Sequence, residues 1–165
     1  MGGDSWARRR PRALRAAQAL FGRAIGLIAP LHARLALATN GRISPGLGPR
    51  PGIILETVGR RSGAPRRVVL TYLPDGDRIV LVASNYGRPG DPSWYSNLVA
   101  DPRVTVIRRG RSEAYRARVA IGAERDELLR RIDDVNFGVY ASYSRRTARE
   151  IPVVVLDPVA PRGAA

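Results

Sequence analysis

The chain has 165 residues, 44% of them hydrophobic and 6% aromatic, which suits one domain with a real core and is too little for two. Its 28 basic residues, all Arg, face 14 acidic ones for a net charge of +14. Part of that excess marks GC-rich coding, and the rest attracts phosphates, carboxylates and anionic membrane surfaces. The absence of Cys and the single His, His32, exclude disulfides, thiolate nucleophiles and sulfur-ligated clusters and argue against a His-based metal site or a Ser-His-Asp triad. An enzyme built from this chain therefore draws its reactivity from an organic cofactor.

Residues 1–50 hold nine of the Arg and one acid, Asp4. Within them, Ala13–Ala38 places Leu14, Ala17, Phe21, Ile25 and Ile28 near helical spacing, and Pro30 is expected to kink or split the segment. A signal peptide is one reading, but Arg23, His32 and Arg34 shorten the apolar run. The same charges exclude a transmembrane span. The preferred reading for residues 1–40 is a pair of basic amphipathic helices, packed on the following domain or lying on an anionic membrane surface. Residues 41–52, rich in Gly and Pro, read as a linker.

The body, residues 53–158, reads as β-rich. Six strands are expected at Ile53–Val58, Arg67–Tyr72, Arg78–Ser84, Arg103–Arg109, Glu113–Ile121 and Ile151–Leu156. Short turns such as Arg61–Pro65, Pro74–Asp77 and Arg109–Arg111 favour antiparallel hairpins. Two helices interrupt them. Asp91 is expected to cap the first, with Pro92 at its first position, running through SWYSNLVA. The second, Glu124–Val135, puts Leu128, Ile132 and Val135 on one face with Leu129 at its edge. The expected fold is mainly β: a six-stranded antiparallel split or closed barrel with amino-terminal helices, a few short helices, and a tail at 159–165.

Three stretches carry candidate chemistry. Thr57–Gly63 with Arg66 and Arg67 combines a two-Gly turn with four Arg, which suits phosphate binding as well as it suits a solvated hairpin. Val82–Gly87 ends a strand in small polar residues and leads to a helix that presents Trp94 and Asn97 on one face. Residue types alone favour a core role for Trp94. Phe137, Tyr140 and Tyr143 recur every three residues, on one helical face or a lid, where Tyr hydroxyls suit substrate orientation or proton donation as well as packing.

The run Leu55–Val106, LETVGRRSGAPRRVVLTYLPDGDRIVLVASNYGRPGDPSWYSNLVADPRVTV, together with the closing IPVVVLDP, resembles the deazaflavin-dependent nitroreductases. These are also described as F-420-dependent quinone reductases. The likeness spans roughly Asn40–Pro158 and implies a split barrel related to FMN-binding flavoproteins, with coenzyme F-420 in place of FMN. It implies that Arg60, Arg61, Ser62 and Arg66 hold the phosphate and oligoglutamate tail. Ser84 and Asn85 would lie near the ring or tail, with Trp94 and Asn97 lining the same groove. Phe137, Tyr140 and Tyr143 would form the substrate wall, with Tyr140, Tyr143 and Ser84 as the catalytic candidates. Two departures stand out: Asn85 lacks the charge common there, and Phe137 lacks a hydroxyl found in nitroreducing members.

The implied activity is hydride transfer from reduced F-420 to a planar electrophile such as a quinone, with nitroaromatics reduced incidentally. No metal is called for. An FMN- or haem-binding split barrel is one alternative, and a basic nucleic-acid or membrane-surface protein another. Nucleic acid is disfavoured because Arg is spread along the whole chain and no recognition motif appears. The expected location is cytoplasmic, with contact at the inner face of the cell membrane as a compatible refinement.

Overall fold

Runs of β-branched residues between turn-forming clusters become seven antiparallel strands in the computed structural model, which describes residues 29–43, 45–46 and 51–159. In chain order these are β1 (Gly52–Val58), β2 (Pro65–Thr71), β3 (Leu73–Asp75), β4 (Arg78–Val82), β5 (Arg103–Arg108), β6 (Arg111–Ala120) and β7 (Val153–Pro158). They form one sheet in the order β2-β1-β5-β6-β7-β4-β3. Tyr72 alone separates β2, at one edge, from β3, at the other. Neighbouring Cα atoms are ~3.8 Å apart, so the two edges approach each other at that residue. The sheet therefore curls into a half-barrel.

The six-strand expectation is corrected to seven. The extra strand, β3, is three residues long and contains Pro74, which reads as a turn. Its place at the sheet edge tolerates the missing N–H. The hairpin between β5 and β6 needs only Arg109 and Gly110, both at positive φ (52° and 75°). Such a turn matches the twist of the strands it joins.

Two cores flank the sheet. Inside the curl lie Ile53, Leu55, Leu81, Val104, Val106, Val154 and Leu156, closed by Trp94 and Leu98. On the outer face, Val80, Val82, Val153 and Val155 pack with Leu128, Leu129 and Ile132 of helix α3 (Gly122–Val135). Strand β7 is thus buried on both sides, which is why its sequence is an unbroken VVVL rather than an alternation. In α3 the expected stripe is displaced: Leu129 is fully buried, whereas Val135 is exposed and Asp133 is buried in its place.

Helix α1 covers residues 29–38, with Pro30 second among its described residues; the expected helix before it, through residue 28, lies outside the described residues. The turn after α1 rests on the outer face of β5, where a Cβ at Gly41 would stand 3.5 Å from the Ile107 carbonyl oxygen. Ile54 and its cross-strand partner Ile107 are buried on that side. Helix α2 (Ser93–Ala100) closes one end of the curl, and helix α4 (Val139–Ser144) follows α3.

Candidate functional site

At one end of the half-barrel a groove of about 1230 Å³ opens between α1, the β1–β2 turn, β2, the loop after β4, the start of α2, and α4. It exceeds the usual few hundred to ~1,000 Å³ of small-molecule sites, so there is room for a ligand of cofactor size.

The β1–β2 turn is built to a fixed shape. Gly59 N–H donates to the Ala64 carbonyl at 2.9 Å, while the Ser62 and Gly63 N–H groups donate back to the Gly59 carbonyl at 3.1 and 2.7 Å. A Cβ at Gly59 would meet the Ser62 hydroxyl oxygen at 2.8 Å and the Ala64 carbonyl at 3.0 Å, so only glycine closes this loop. Asn97, buried on α2, accepts from Arg60 N–H at 3.2 Å and donates to Thr57 Oγ1 at 3.1 Å. Ser62 Oγ accepts from Ala64 N–H and from Arg66.

What this turn presents is charge. Arg60, Arg61 and Arg66 are exposed and line the groove. None makes an ion pair among the described residues. Arg67, next along, is different: its Nε is 2.6 Å from Glu56 Oε2.

The opposite rim is the loop after β4. Asn85, Tyr86 and Gly87 take φ of 46°, 58° and 75°, three left-handed residues in succession. Gly87 is doubly required, since a Cβ there would also stand 2.9 Å from the Tyr143 carbonyl oxygen. Asn85 turns its amide back to donate to the Gly90 carbonyl at 2.8 Å. Tyr86 is 70% exposed, and its ring meets that of Tyr143 edge-on at 6.1 Å.

Tyr140 and Tyr143 form the α4 wall, their rings edge-on at 6.1 Å. Arg146 lies over the Tyr143 ring at 5.7 Å. The buried Asp133 carboxylate fixes this short helix by accepting the Tyr140 and Ala141 N–H groups at 2.8 and 3.1 Å. Trp94 serves twice, as a member of the interior core and as groove lining.

Arg60, Arg61, Ser62, Arg66, Ser84, Asn85, Trp94, Asn97, Tyr140 and Tyr143 all line the one groove. Phe137 does not. It stands half exposed before α4 at φ 57°, and the third groove aromatic is Tyr86 instead. Asn97 reaches the groove, but its amide is occupied in holding the β1–β2 turn. Asp91 does not cap α2, whose N-cap residue is Pro92; its carboxylate pairs with Arg149 at 2.9 Å. The sequence reading gave Tyr86 no role within the Val82–Gly87 stretch and missed Asp133 and Arg149, whose partners no local pattern reveals. His32 also lines the groove. Among the described residues no group of three or more His, Asp or Glu is placed to hold a metal ion.

The chain that builds this groove has known relatives. The sequence model of a family described as F420H(2)-dependent quinone reductase matches residues 30–158. A curated F420H(2)-dependent quinone reductase of Mycobacterium tuberculosis is 37% identical over 129 residues, 76% of this chain and 87% of its own. A solved F420-H2 dependent reductase, FDR-A, superposes with a TM-score of 0.59 at 32% identity, covering 68% of this chain and all of that one. The haem storage protein HutZ of Vibrio cholerae, at 12% identity and a TM-score of 0.54, shares the fold alone. With residues 30–158 matched by that sequence model, the chain belongs to the F420H(2)-dependent quinone reductase family.

Proposed function

We propose that this family member is an F-420-dependent reductase whose groove takes the coenzyme lengthwise and a quinone-like acceptor beside it. The carrying observation is the trio Arg60, Arg61 and Arg66, left without carboxylate partners among the described residues beside a groove of about 1230 Å³. The residues present fit the group. Guanidinium groups bind phosphate and carboxylate through paired N–H donors, each well-made contact contributing about 1.5–3 kcal/mol and less where water competes.

When bound, reduced F-420 supplies a hydride, and the acceptor takes up a proton as well. The residues around it need only position and shelter. Arg60, Arg61 and Arg66, with the Ser62 hydroxyl, hold the anionic tail at the mouth. Ser84 and Asn85 lie where β4 ends and support the ring or the tail, and Trp94 gives a flat apolar floor. Tyr140 and Tyr143 orient the acceptor, and their hydroxyls are the candidate proton donors. Holding two planar partners face to face accounts for much of such a reaction's acceleration. A nitroaromatic satisfies the same geometry as a quinone.

Titration with oxidised and reduced F-420 tests this reading. Micromolar binding that weakens on removal of Arg60 and Arg61 supports it, and absence of binding defeats it. An absorbance spectrum of the purified protein separates FMN, by a bound flavin band, and haem, by a Soret band.

A membrane contact has its own observation. No described helix is long and apolar enough to cross a membrane, yet Leu31, Leu35 and Ile43 are exposed at 62%, 46% and 43%. Arg34 and Arg42, also exposed, lie in the same stretch. That composition favours a helix lying on an anionic surface, which suits a lipid-soluble acceptor. Vesicles containing anionic lipid should retain the protein, and replacement of Leu31 and Leu35 by Ser should release it.

A further inference from the structure

We propose that Arg149 is a positioning residue of the groove: it holds the Ser84–Arg88 loop in its left-handed conformation and so sets Tyr86 against Tyr143 to complete the aromatic wall. The inference rests on the reading of the groove as the site of hydride transfer, and extends it to two residues with no part in that reading.

The loop is poor at holding itself. Two non-glycine residues in succession, Asn85 and Tyr86, sit at positive φ, a region that side-chain-bearing residues avoid unless their surroundings impose it. Its own hydrogen bonds are few: Gly87 N–H to the Ser84 carbonyl at 2.9 Å and Arg88 N–H to the Asn85 carbonyl at 3.1 Å, with the Asn85 amide reaching to Gly90. Asn85 and Gly87 accept this shape readily, but Tyr86 between them does not.

Arg149 supplies the missing constraint. Nη2 donates to the Ala83 and Ser84 carbonyls, both at 2.9 Å, and Nε donates to the Arg88 carbonyl at 3.2 Å. Nη1 reaches the Asp91 carboxylate at 2.9 Å and the Glu150 carbonyl at 3.4 Å. All the N–H donors of one planar group are thus engaged, and the bonds to 83, 84, 88 and 91 grip the loop at its entrance, its end and just beyond. The side chain is only 16% exposed, so water competes weakly for those carbonyls. A Lys, with three donors on one atom, cannot span the same set.

The consequence falls on Tyr86. It is exposed toward the groove and touches Tyr143, which in turn touches Tyr140. A loop released from Arg149 has no reason to keep Tyr86 at that edge. Arg149 itself does not line the groove, so its effect on turnover runs through the loop.

Amide hydrogen exchange and steady-state kinetics on the full chain decide the matter together. In Arg149→Met the Gly87 and Arg88 amides should exchange about tenfold or more faster, while β1 and β5 amides keep their protection. With reduced F-420 and a short-chain soluble quinone, kcat/KM should fall about tenfold, mainly through KM for the quinone, with coenzyme affinity changed less than about threefold. Arg149→Lys should resemble Arg149→Met, since the role is geometric. Should Arg149→Met fold poorly, Asp91→Ala removes one contact and should give an intermediate acceleration of the same amides.

Tyr86→Leu, an exposed change, should lower kcat/KM about five- to tenfold in the wild type but by less than about twofold in Arg149→Met. A purely structural Arg149 predicts the opposite: fewer folded molecules, full protection of the loop amides in those that fold, and independent multiplication of the two kinetic effects. Either of the last two findings overturns the proposal. If wild type fails to bind F-420, the groove's assignment falls, while amide exchange still decides what holds the loop.

Discussion

Arginines on the two sides of this half-barrel keep different company. On the outer face, Arg118 pairs with Glu124 and Asp157, Arg130 with Glu127 and Asp134, and Arg131 and Arg78 share Asp75. At the groove mouth Arg60, Arg61 and Arg66 pair with no carboxylate among the described residues. The residue type is the same, and a compositional bias toward Arg explains its presence in both places. The distribution of acids explains the difference. On the proposed reading, a surplus of Arg becomes a binding site where carboxylates are withheld and a cavity adjoins.

The largest expected effect breaks this comparison most directly. Arg60→Ala with Arg61→Ala should weaken F-420 binding about 10- to 100-fold, an estimate discounted for the exposure of both side chains. The residual affinity should also depend less on salt. Arg118→Ala, which removes an equal charge from the outer face, should leave affinity within about twofold. Equal losses from both changes would mean that net charge, and not the turn, attracts the coenzyme.

Asn97 holds the backbone of Arg60 in the β1–β2 turn, so the next prediction concerns geometry at constant charge. Asn97→Leu strands the Arg60 N–H and leaves Thr57 Oγ1 only its 3.5 Å bond to the Arg66 carbonyl. Loss of stability should be about 1–3 kcal/mol, read by urea denaturation. Coenzyme affinity should fall several-fold although no cation is removed. Unchanged affinity would show that the arginines bind from a mobile turn and that its fixed shape is incidental.

Much of this was legible beforehand, for physical reasons that differ by region. Strands announce themselves where β-branched residues run between Gly, Pro and Asp, and β1, β5 and β7 follow that rule closely. The basic turn was legible because its glycines and arginines are contiguous. The opposite rim was not. Arg149 sits in the run SRRTARE, where nothing separates it from Arg145 or Arg146, and its partners lie about sixty residues away in sequence. Asp91 before Pro92 has the form of a helix cap, and only the fold assigns it to Arg149. Tyr86 lines the groove where Phe137 was expected because three successive left-handed residues turn the chain there, and the positive φ of Tyr86, unlike those of Asn85 and Gly87, is no local preference. Strand β3 escaped notice because three residues with a central proline have no periodicity to read.

The paired side of the comparison makes its own prediction at Asp75. The Arg131 guanidinium, opposed by partial burial and aided by Arg78, holds the Asp75 carboxyl below its ordinary value. A lowered carboxylate contributes stability that is present above its unfolded value, near 3.8, and is lost as pH falls through the folded one. Asp75→Asn should therefore cost about 1 kcal/mol at neutral pH, and the wild type and the variant should converge in strong acid. Coenzyme affinity should not move, because Asp75 lies away from the groove. A penalty that persists at low pH would trace the loss to packing and not to the ion pair.

The smallest effect offers the sharpest test of pairing itself. Asp101, just after α2, accepts from the Arg103 side chain at 3.0 and 2.8 Å and from its backbone N–H at 3.1 Å, and its pKa is lowered to about 2. The side-chain hydrogen bond is the larger cause and the backbone bond the next. Arg103→Ala removes the first and keeps the second, so the Asp101 carboxyl, followed by NMR, should titrate above 2 yet still below 3.8. Thermal stability at neutral pH should hardly change, because Arg103 is 81% exposed and water takes its place. A midpoint that stays near 2 in the variant would assign the shift to the backbone alone. The outer arginines would then be neighbours of their carboxylates without being partners, and the contrast with the groove would rest on cavity shape rather than on charge.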